Sequence, residues 1–183
     1  MEKQKRVGNN IFLVGMMGSG KTTVGKLLAN HLNREFVDTD QMIMEQTGLS
    51  IPVIFKEKGE KYFRRLEQEA IARICRRRQA VVATGGGAII TQENRQRLKE
   101  NGLIFYLRVT APVLAERVGA GEGRPLLAGK KLIVEMEKLL AAREGYYREA
   151  DVVIDTDGLK LEQVVEAIIV ESRRRGILGP VKE

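Results

Sequence analysis

The sequence predicts an α/β protein in which a parallel β-sheet is covered by helices on both faces, giving a three-layer αβα sandwich. Short apolar runs alternate with longer segments whose apolar residues recur at helical spacing. The apolar runs are largely non-alternating, as expected for strands that are buried on both faces. A glycine-rich loop separates the first apolar run from the first helix, which is typical of a strand–turn–helix unit.

The predicted strands and helices follow one another in order along the whole chain. We predict strands over residues 10–14, 34–38, 80–84, 103–109 and 151–155. We predict helices over residues 20–32, 39–47, 51–58, 60–78, 91–100, 111–119, 130–149 and 160–175. Thr110 and Pro112 fit the start of the helix at residue 111. Because repeats and composition breaks are absent, residues 1–183 are predicted to form a single domain.

The composition is that of an ordinary globular protein of 183 residues, with 43% hydrophobic and 30% charged residues. No apolar run approaches the length of a membrane span, so we expect no membrane partner. The first ten residues are too polar for a secretory signal. The single cysteine, Cys75, excludes an intrachain disulfide and favours a cytoplasmic location. We further expect a monomer.

The net charge of +7 fits either a nucleic-acid-binding protein or an enzyme that acts on anions. Arginine clusters at residues 76–78 and 173–175 could contact RNA phosphates. Each cluster, however, lies at a predicted helix end, where cations complement the helix dipole. No aromatic residues are interleaved with the clusters, so we expect no nucleic-acid partner.

The run from Gly15 to Thr22 fits the phosphate-binding loop pattern G-x-x-x-x-G-K-[ST]. Its glycines let backbone N–H groups approach a polyphosphate at the positive end of a helix. Lys21 supplies a positive charge for the β- and γ-phosphates, and the Thr22 hydroxyl is placed to bind Mg²⁺. The sequence therefore predicts a nucleoside triphosphate site formed by Gly18, Ser19, Gly20, Lys21, Thr22 and Thr23.

Two polar features follow predicted strands at the edge of the sheet where a ligand would bind. Asp38 and Asp40 end the second strand. One carboxylate could hold the water shell of the metal while the other accepts the proton of an attacking hydroxyl. The glycines at residues 85–87 follow the third strand, where they expose backbone N–H groups and allow close approach of a ligand.

Two pairs of side chains have the spacing of neighbours on one helix face. Arg64 and Glu67 are three residues apart, and a surface ion pair is the simplest interpretation of this pair. Arg143 and Tyr147 are four residues apart and are expected to point back towards the sheet.

A glycine-rich stretch at residues 119–129 has too many glycines to form a stable helix. It is either a surface loop or a hinged lid that carries Arg124 onto the phosphates and excludes water. Glycines at its ends and one arginine near its middle favour the lid.

Six motifs in this order resemble those of the shikimate kinase family, which belongs to the nucleoside-monophosphate-kinase-like group of phosphate-loop proteins. The resemblance runs from about Asn10 to Arg174. The matching segments are Gly15 to Gly25, Asp38-Thr39-Asp40, Phe63 to Glu67, Gly85 to Gly87, Arg124 to Leu127, and Arg143 to Tyr147.

The resemblance implies an ATP:shikimate 3-phosphotransferase with one Mg²⁺ ion and a five-stranded parallel sheet in the order 2-3-1-4-5. It implies that shikimate is bound within about residues 39–67 and by Asp40, Arg64, Gly85, Gly86, Gly87 and Arg143. Thr22 and Asp38 would hold the metal, and the catalytic residues would be Lys21, Asp40 and Arg124. Arg117 would stack on adenine beside residues 157–160, and Arg124 would also contact ATP.

Two alternatives remain at this point. A gluconate kinase would share the fold and the loop, and would also hold a small hydroxy acid. A nucleotide-dependent RNA-binding module would use the arginine clusters, and it predicts salt-sensitive association with RNA.

Overall fold

The computed structural model describes residues 8–119 and 130–179 of the chain. The predicted lid, apart from Gly119, lies outside the described residues, and so does its Arg124. Among the residues described, no helix combines the length and apolar character needed to cross a membrane.

Five strands form a single parallel sheet in the order β2-β3-β1-β4-β5. The strands are β1 Asn10–Val14, β2 Phe36–Asp38, β3 Val81–Ala83, β4 Gly102–Arg108 and β5 Val152–Asp155. The central strand β1 pairs with β3 and β4, with Leu13 opposite Ala83 on one side and Phe105 on the other. The strand order implied by the family resemblance is confirmed.

Seven helices occur in the described residues, and they cover both faces of the sheet. They are α1 Lys21–Leu32, α2 Thr39–Thr47, α3 Ile51–Ile74, α4 Gln92–Asn101, α5 Ala111–Gly119, α6 Lys130–Tyr147 and α7 Leu161–Arg174.

Successive residues of β1 belong to two different hydrophobic cores, one on each face of the sheet. Ile11 and Leu13 pack with α1 and α7, whereas Phe12 and Val14 pack with α3, α4, α5 and α6. All four side chains are at most 1% exposed. This two-sided burial explains why β1 is continuously apolar over residues 11–14, because neither face of this central strand meets water.

A third, smaller core lies between α2 and α3. Its buried members are Ile43, Ile54, Phe63, Leu66 and Ala70. The region predicted to bind the second substrate therefore has an apolar cluster of its own beside the main cores.

The predicted helix boundaries are nearly right. The helices predicted over residues 51–58 and 60–78 correspond to the two parts of α3, which is broken at Gly59, with φ 80° and ψ 169°. This conformation is accessible almost only to glycine. α3 ends at Ile74 rather than residue 78. In the turn that follows, the N–H groups of Arg76 and Arg77 donate to carbonyls three residues back, and the carbonyl of Arg77 accepts from Asn10 Nδ2 at 2.9 Å.

Candidate active site

The phosphate-binding loop lies between β1 and α1 and depends on three glycines with positive φ. Gly15, Gly18 and Gly20 have φ of 148°, 78° and 87°. Gly20 also ends the loop at the N-terminus of α1, and a turn from Met16 to Ser19 closes the loop with a 3.1 Å hydrogen bond. Because side chains with a Cβ rarely adopt these angles, the glycines fix the loop conformation.

Lys21 is almost completely buried in this loop. Its ammonium group donates to the carbonyls of Gly15 at 2.9 Å and Met16 at 2.8 Å. Burial lowers the pKa of Lys21 to about 8, although the charges of Asp40 and Asp38 act in the opposite direction. The positive charge of this lysine is therefore already destabilised before any phosphate is present.

We expect the binding of ADP to take up protons at about pH 8.5. Free Lys21 is partly deprotonated there, and the phosphates of ADP would return it to the charged form, so about half a proton or more should be taken up per ADP. Titration calorimetry in buffers of different ionisation enthalpy measures this uptake. Lys26→Met, an exposed lysine of the same helix, should retain it. Equal heats in all buffers at this pH would contradict the prediction.

A cleft of about 520 Å³ extends from this loop across the carboxyl edge of the sheet. Arg117, at the end of α5, lines the cleft and donates to the carbonyl of Gly18 at 3.3 Å. The cleft is lined by Gly18, Ser19, Gly20, Lys21, Thr22, Thr23, Val24, Arg117, Thr156, Leu159, Leu161 and Val164. All six residues predicted for the triphosphate site thus lie in one cleft together with Arg117.

The Thr22 hydroxyl donates to Asp38 Oδ2 at 2.7 Å. The other oxygen of Asp38 caps α2 by accepting from the backbone N–H groups of Asp40 and Gln41. Two hard oxygen ligands are therefore held side by side at the phosphate end of the cleft. This donor set fits Mg²⁺, which prefers one or two protein oxygens together with phosphates and water.

Asp40 lies two residues further along, in the first turn of α2, close to Lys21 and Arg64. Burial raises the pKa of its carboxyl group, and the nearby charge of Asp38 adds to the shift, while Lys21 and Arg64 oppose it. Its Oδ1 is buried and has no hydrogen-bond partner among the described residues. A buried acceptor without a partner is costly, so a ligand hydroxyl that donates to it would be favoured.

The triple glycine after β3 makes room for the side chains of this site. A Cβ on Gly85 would lie 2.6 Å from Asp40 Oδ1, and a Cβ on Gly87 would overlap the guanidinium of Arg64. A Cβ on Gly86 would lie 3.4 Å from the backbone nitrogen of Met17 in the phosphate-binding loop.

The prediction that all three glycine N–H groups are exposed is wrong for Gly85. Its N–H donates to the buried Thr39 hydroxyl at 2.9 Å. Gly85 and Gly87 are buried, whereas Gly86 is partly exposed. We infer that the backbone of Gly86 is the part of this turn that is available to a ligand.

Arg64 lies on α3 and forms an ion pair with Glu67, with Nη1 2.8 Å from Oε2. The interpretation of this pair as a surface ion pair is wrong, because Glu67 is only 1% exposed. Burial raises the pKa of Glu67, while the hydrogen bond and charge of Arg64 oppose the shift. A buried carboxylate fixes the guanidinium from one side, since its departure would leave a charge without a partner.

Arg143 and Tyr147 on α6 contact the phosphate-binding loop and the triple glycine. The Arg143 guanidinium approaches the sulfur of Met16 in the phosphate-binding loop. The Tyr147 hydroxyl donates to the carbonyl of Gly86, and its ring stacks on Tyr106 with 4.8 Å between centroids. Burial raises the pKa of Tyr147 to about 12, so the hydroxyl remains a donor at neutral pH. Arg143 also lies close enough to Glu67 to interact with its charge.

A family model described as shikimate kinase matches residues 17–173. This chain belongs to the shikimate kinase family. The match includes most of the phosphate-binding loop, Asp40, Arg64, the triple glycine and Arg143.

Individual shikimate kinases are similar over nearly the whole chain. The shikimate kinase of Moorella thermoacetica is 46% identical over 159 residues, which is 87% of this chain and 91% of that protein. The solved structure of a shikimate kinase from Acinetobacter baumannii in complex with shikimate is 37% identical and superposes with a TM-score of 0.86, covering 94% of this chain and 97% of that one.

A gluconokinase from Sinorhizobium meliloti superposes with a TM-score of 0.58 at 20% identity, covering 93% of this chain and 95% of that one. This similarity shows a shared fold and nothing about the substrate. The gluconate kinase alternative is therefore not favoured, since the family match and the closer similarities are to shikimate kinases.

The structure brings together the predicted acceptor-site residues that it describes: Asp40, Arg64, Gly85, Gly86, Gly87 and Arg143. The cleft is also lined by three residues that were not predicted as site residues, Thr156, Leu161 and Val164. Their position after β5, at the carboxyl edge of the sheet, was the available signal. The arginines at 76–78 and 173–175 are exposed, as expected for helix ends in solvent.

Proposed function

We propose that this member of the shikimate kinase family transfers the γ-phosphoryl group of ATP to the 3-hydroxyl of shikimate, giving shikimate 3-phosphate and ADP. The reaction is a step of chorismate and aromatic amino acid biosynthesis. The observation that carries the proposal is the convergence of Asp40, Arg64 and Arg143 beside the phosphate-binding loop. One carboxylate and two guanidinium groups match a small acid that carries ring hydroxyls.

Arg64 and Arg143 are proposed to bind the shikimate carboxylate. Guanidinium groups suit this role, because their planar forks pair with a planar carboxylate. The buried Glu67 holds Arg64 in place, and the Tyr147 hydroxyl holds the carbonyl of Gly86. The ring hydroxyls would then meet Asp40 and the backbone of Gly86, and Gly85 and Gly87 leave the space that this arrangement needs.

Asp40 is proposed to accept the hydrogen bond, and then the proton, of the attacking hydroxyl. Its buried oxygen without a partner favours such a bond, and its raised pKa brings its basicity closer to neutral pH. Lys21 would neutralise charge on the transferred phosphoryl group, as would Arg124, whose role rests on the lid motif alone. Positioning and electrostatics carry most of the catalysis in such transfers.

Mg²⁺ would be held by Thr22 and, directly or through water, by Asp38, whose oxygens lie 2.7 Å apart. The ion would supply positive charge that stabilises the negative charge of the phosphates. In our proposal, ATP binds along the cleft with its base beside Arg117 and the segment of residues 157–160. We also propose that the protein acts as a cytoplasmic monomer with ATP and shikimate as its small-molecule partners, and with no nucleic-acid or membrane partner.

A coupled assay of ADP release tests the proposed reaction with shikimate, quinate and gluconate as acceptors in the presence of ATP and Mg²⁺. We expect efficient turnover of shikimate and little turnover of the other two acids. Turnover of gluconate without turnover of shikimate would overturn the proposal.

Arg64→Ala should raise the KM for shikimate by about 10- to 100-fold while leaving the KM for ATP nearly unchanged. The reason is that a charge-assisted hydrogen bond contributes about 1.5–3 kcal/mol, which corresponds to this range of affinity. Steady-state kinetics in both substrates provide the measurement. Arg65→Ala, an exposed neighbour on the same helix, serves as the matched control. Equal increases in both Michaelis constants would argue against a carboxylate-binding role for Arg64.

A further inference from the structure

The guanidinium of Arg64 already donates hydrogen bonds to two carboxylates in this structure. Nη1 donates to Glu67 at 2.8 Å, on the buried side. Nε and Nη2 both donate to a single oxygen of Glu60, at 3.2 and 3.1 Å. Glu60 therefore occupies the Nε–Nη2 edge, one of the two edges with which arginine forms two parallel hydrogen bonds to a planar carboxylate. The other edge, Nη1–Nη2, already has its Nη1 bonded to Glu67.

The two glutamates differ greatly in how easily each could break its ion pair with Arg64. Glu67 is 1% exposed, whereas the side chain of Glu60 is 67% exposed. If Glu67 left, a buried charge would remain without a partner, but Glu60 would simply regain water. Glu60 also follows Gly59, where α3 is broken, so it lies in the first turn after the break.

The acidic side chains around Arg64 disfavour the binding of a further anion. Burial opposes the positive charge of Arg64, but the hydrogen bonds and charges of Glu67 and Glu60 outweigh it, so the pKa of Arg64 lies above its ordinary value. Asp40 is a further negative group close to this guanidinium. A ligand carboxylate that bound Arg64 while both glutamates stayed in place would be repelled by three acidic side chains, those of Glu60, Glu67 and Asp40.

We propose that Glu60 is an internal competitor for the substrate carboxylate and that it sets the affinity of Arg64 for shikimate. This inference rests on the proposed function, in which Arg64 binds the carboxylate of shikimate. Shikimate binding exchanges Glu60 for the substrate on the Nε–Nη2 edge, while Glu67 stays in place. In the absence of substrate, Glu60 keeps small anions away from Arg64.

Glu60→Gln is expected to lower the KM for shikimate by about two- to fivefold, because the exchange no longer breaks an exposed ion pair. The kcat and the KM for ATP should not change. Acetate, used as a probe of the carboxylate site, should inhibit the variant at lower concentration than the wild-type protein. Glu69→Gln is the matched control, since Glu69 pairs with Arg65 at 3.9 Å on the same helix. It should alter none of these constants.

An unchanged or higher KM for shikimate in Glu60→Gln would overturn the inference, and a higher value would show that Glu60 supports Arg64 instead. In an Arg64→Lys background the effect of Glu60→Gln should disappear, and a persistent effect would also contradict the proposed exchange. If the proposed function itself were wrong, the result would be different, because the wild-type protein would then not phosphorylate shikimate at all.

Discussion

Replacing Asp40 by asparagine should lower the kcat for shikimate phosphorylation by about 10²- to 10⁴-fold, the usual contribution of a positioned general base. The amide preserves the shape of the side chain but cannot take up the proton of the attacking hydroxyl. In the wild-type protein kcat/KM should fall as the pH drops through the raised pKa of Asp40, because the protonated form is no longer an acceptor of that proton. The residual activity of Asp40→Asn should lack this dependence.

The pH profile of kcat/KM for both proteins, measured with saturating ATP, tests this expectation. Glu45→Gln is a suitable control, because Glu45 lies on the same helix and is exposed. A small loss of kcat with an unchanged acid limb in Asp40→Asn would show that Asp40 only orients the hydroxyl.

Lys21→Met should lower kcat by about 10²- to 10³-fold, comparable to the loss of one preorganised donor to a developing charge. Methionine fills much of the volume of the buried lysine stem, so the loop should keep its fold. The lost ammonium group is the one that donates to the carbonyls of Gly15 and Met16 and that would turn to the phosphates when ATP binds. Single-turnover measurements with saturating ATP separate this effect on transfer from an effect on ATP binding.

Lys26→Met provides the matched control on the exposed side of α1. Its kcat should equal that of the wild-type protein. If Lys21→Met kept its full single-turnover rate at saturating ATP, the lysine would serve in binding alone.

The layered architecture was predictable because it depends on local patterns. Continuous apolar runs such as residues 11–14 indicate strands that are buried on both faces, and the break at Gly59 divides two helical patterns. The phosphate-binding loop was predictable from its own residue pattern, and the position of Asp38 followed from the rule that ligands bind at the carboxyl ends of parallel strands.

Other features depend on tertiary packing that no local pattern reveals. The spacing of Arg64 and Glu67 is that of an ordinary surface pair, and only the packing of α3 against residues 85–87 buries the glutamate. Likewise, the Tyr147 hydroxyl reaches Gly86 across 61 residues of sequence. The end of α3 was placed too late, because the hydrogen bond from Asn10 to the carbonyl of Arg77 forms only in the folded chain.

The small apolar cluster between α2 and α3 suggests how acceptor specificity can change during the evolution of this family. Residues such as Ile43 and Ile54 support the acceptor side of the site, while the phosphate-binding loop rests on the two larger cores. Mutations in this apolar cluster that leave Asp40 in place can thus reshape the acceptor side with little disturbance of phosphoryl transfer. New acceptor preferences are therefore open to evolution, and to grafting experiments that exchange residues 39–67 between relatives.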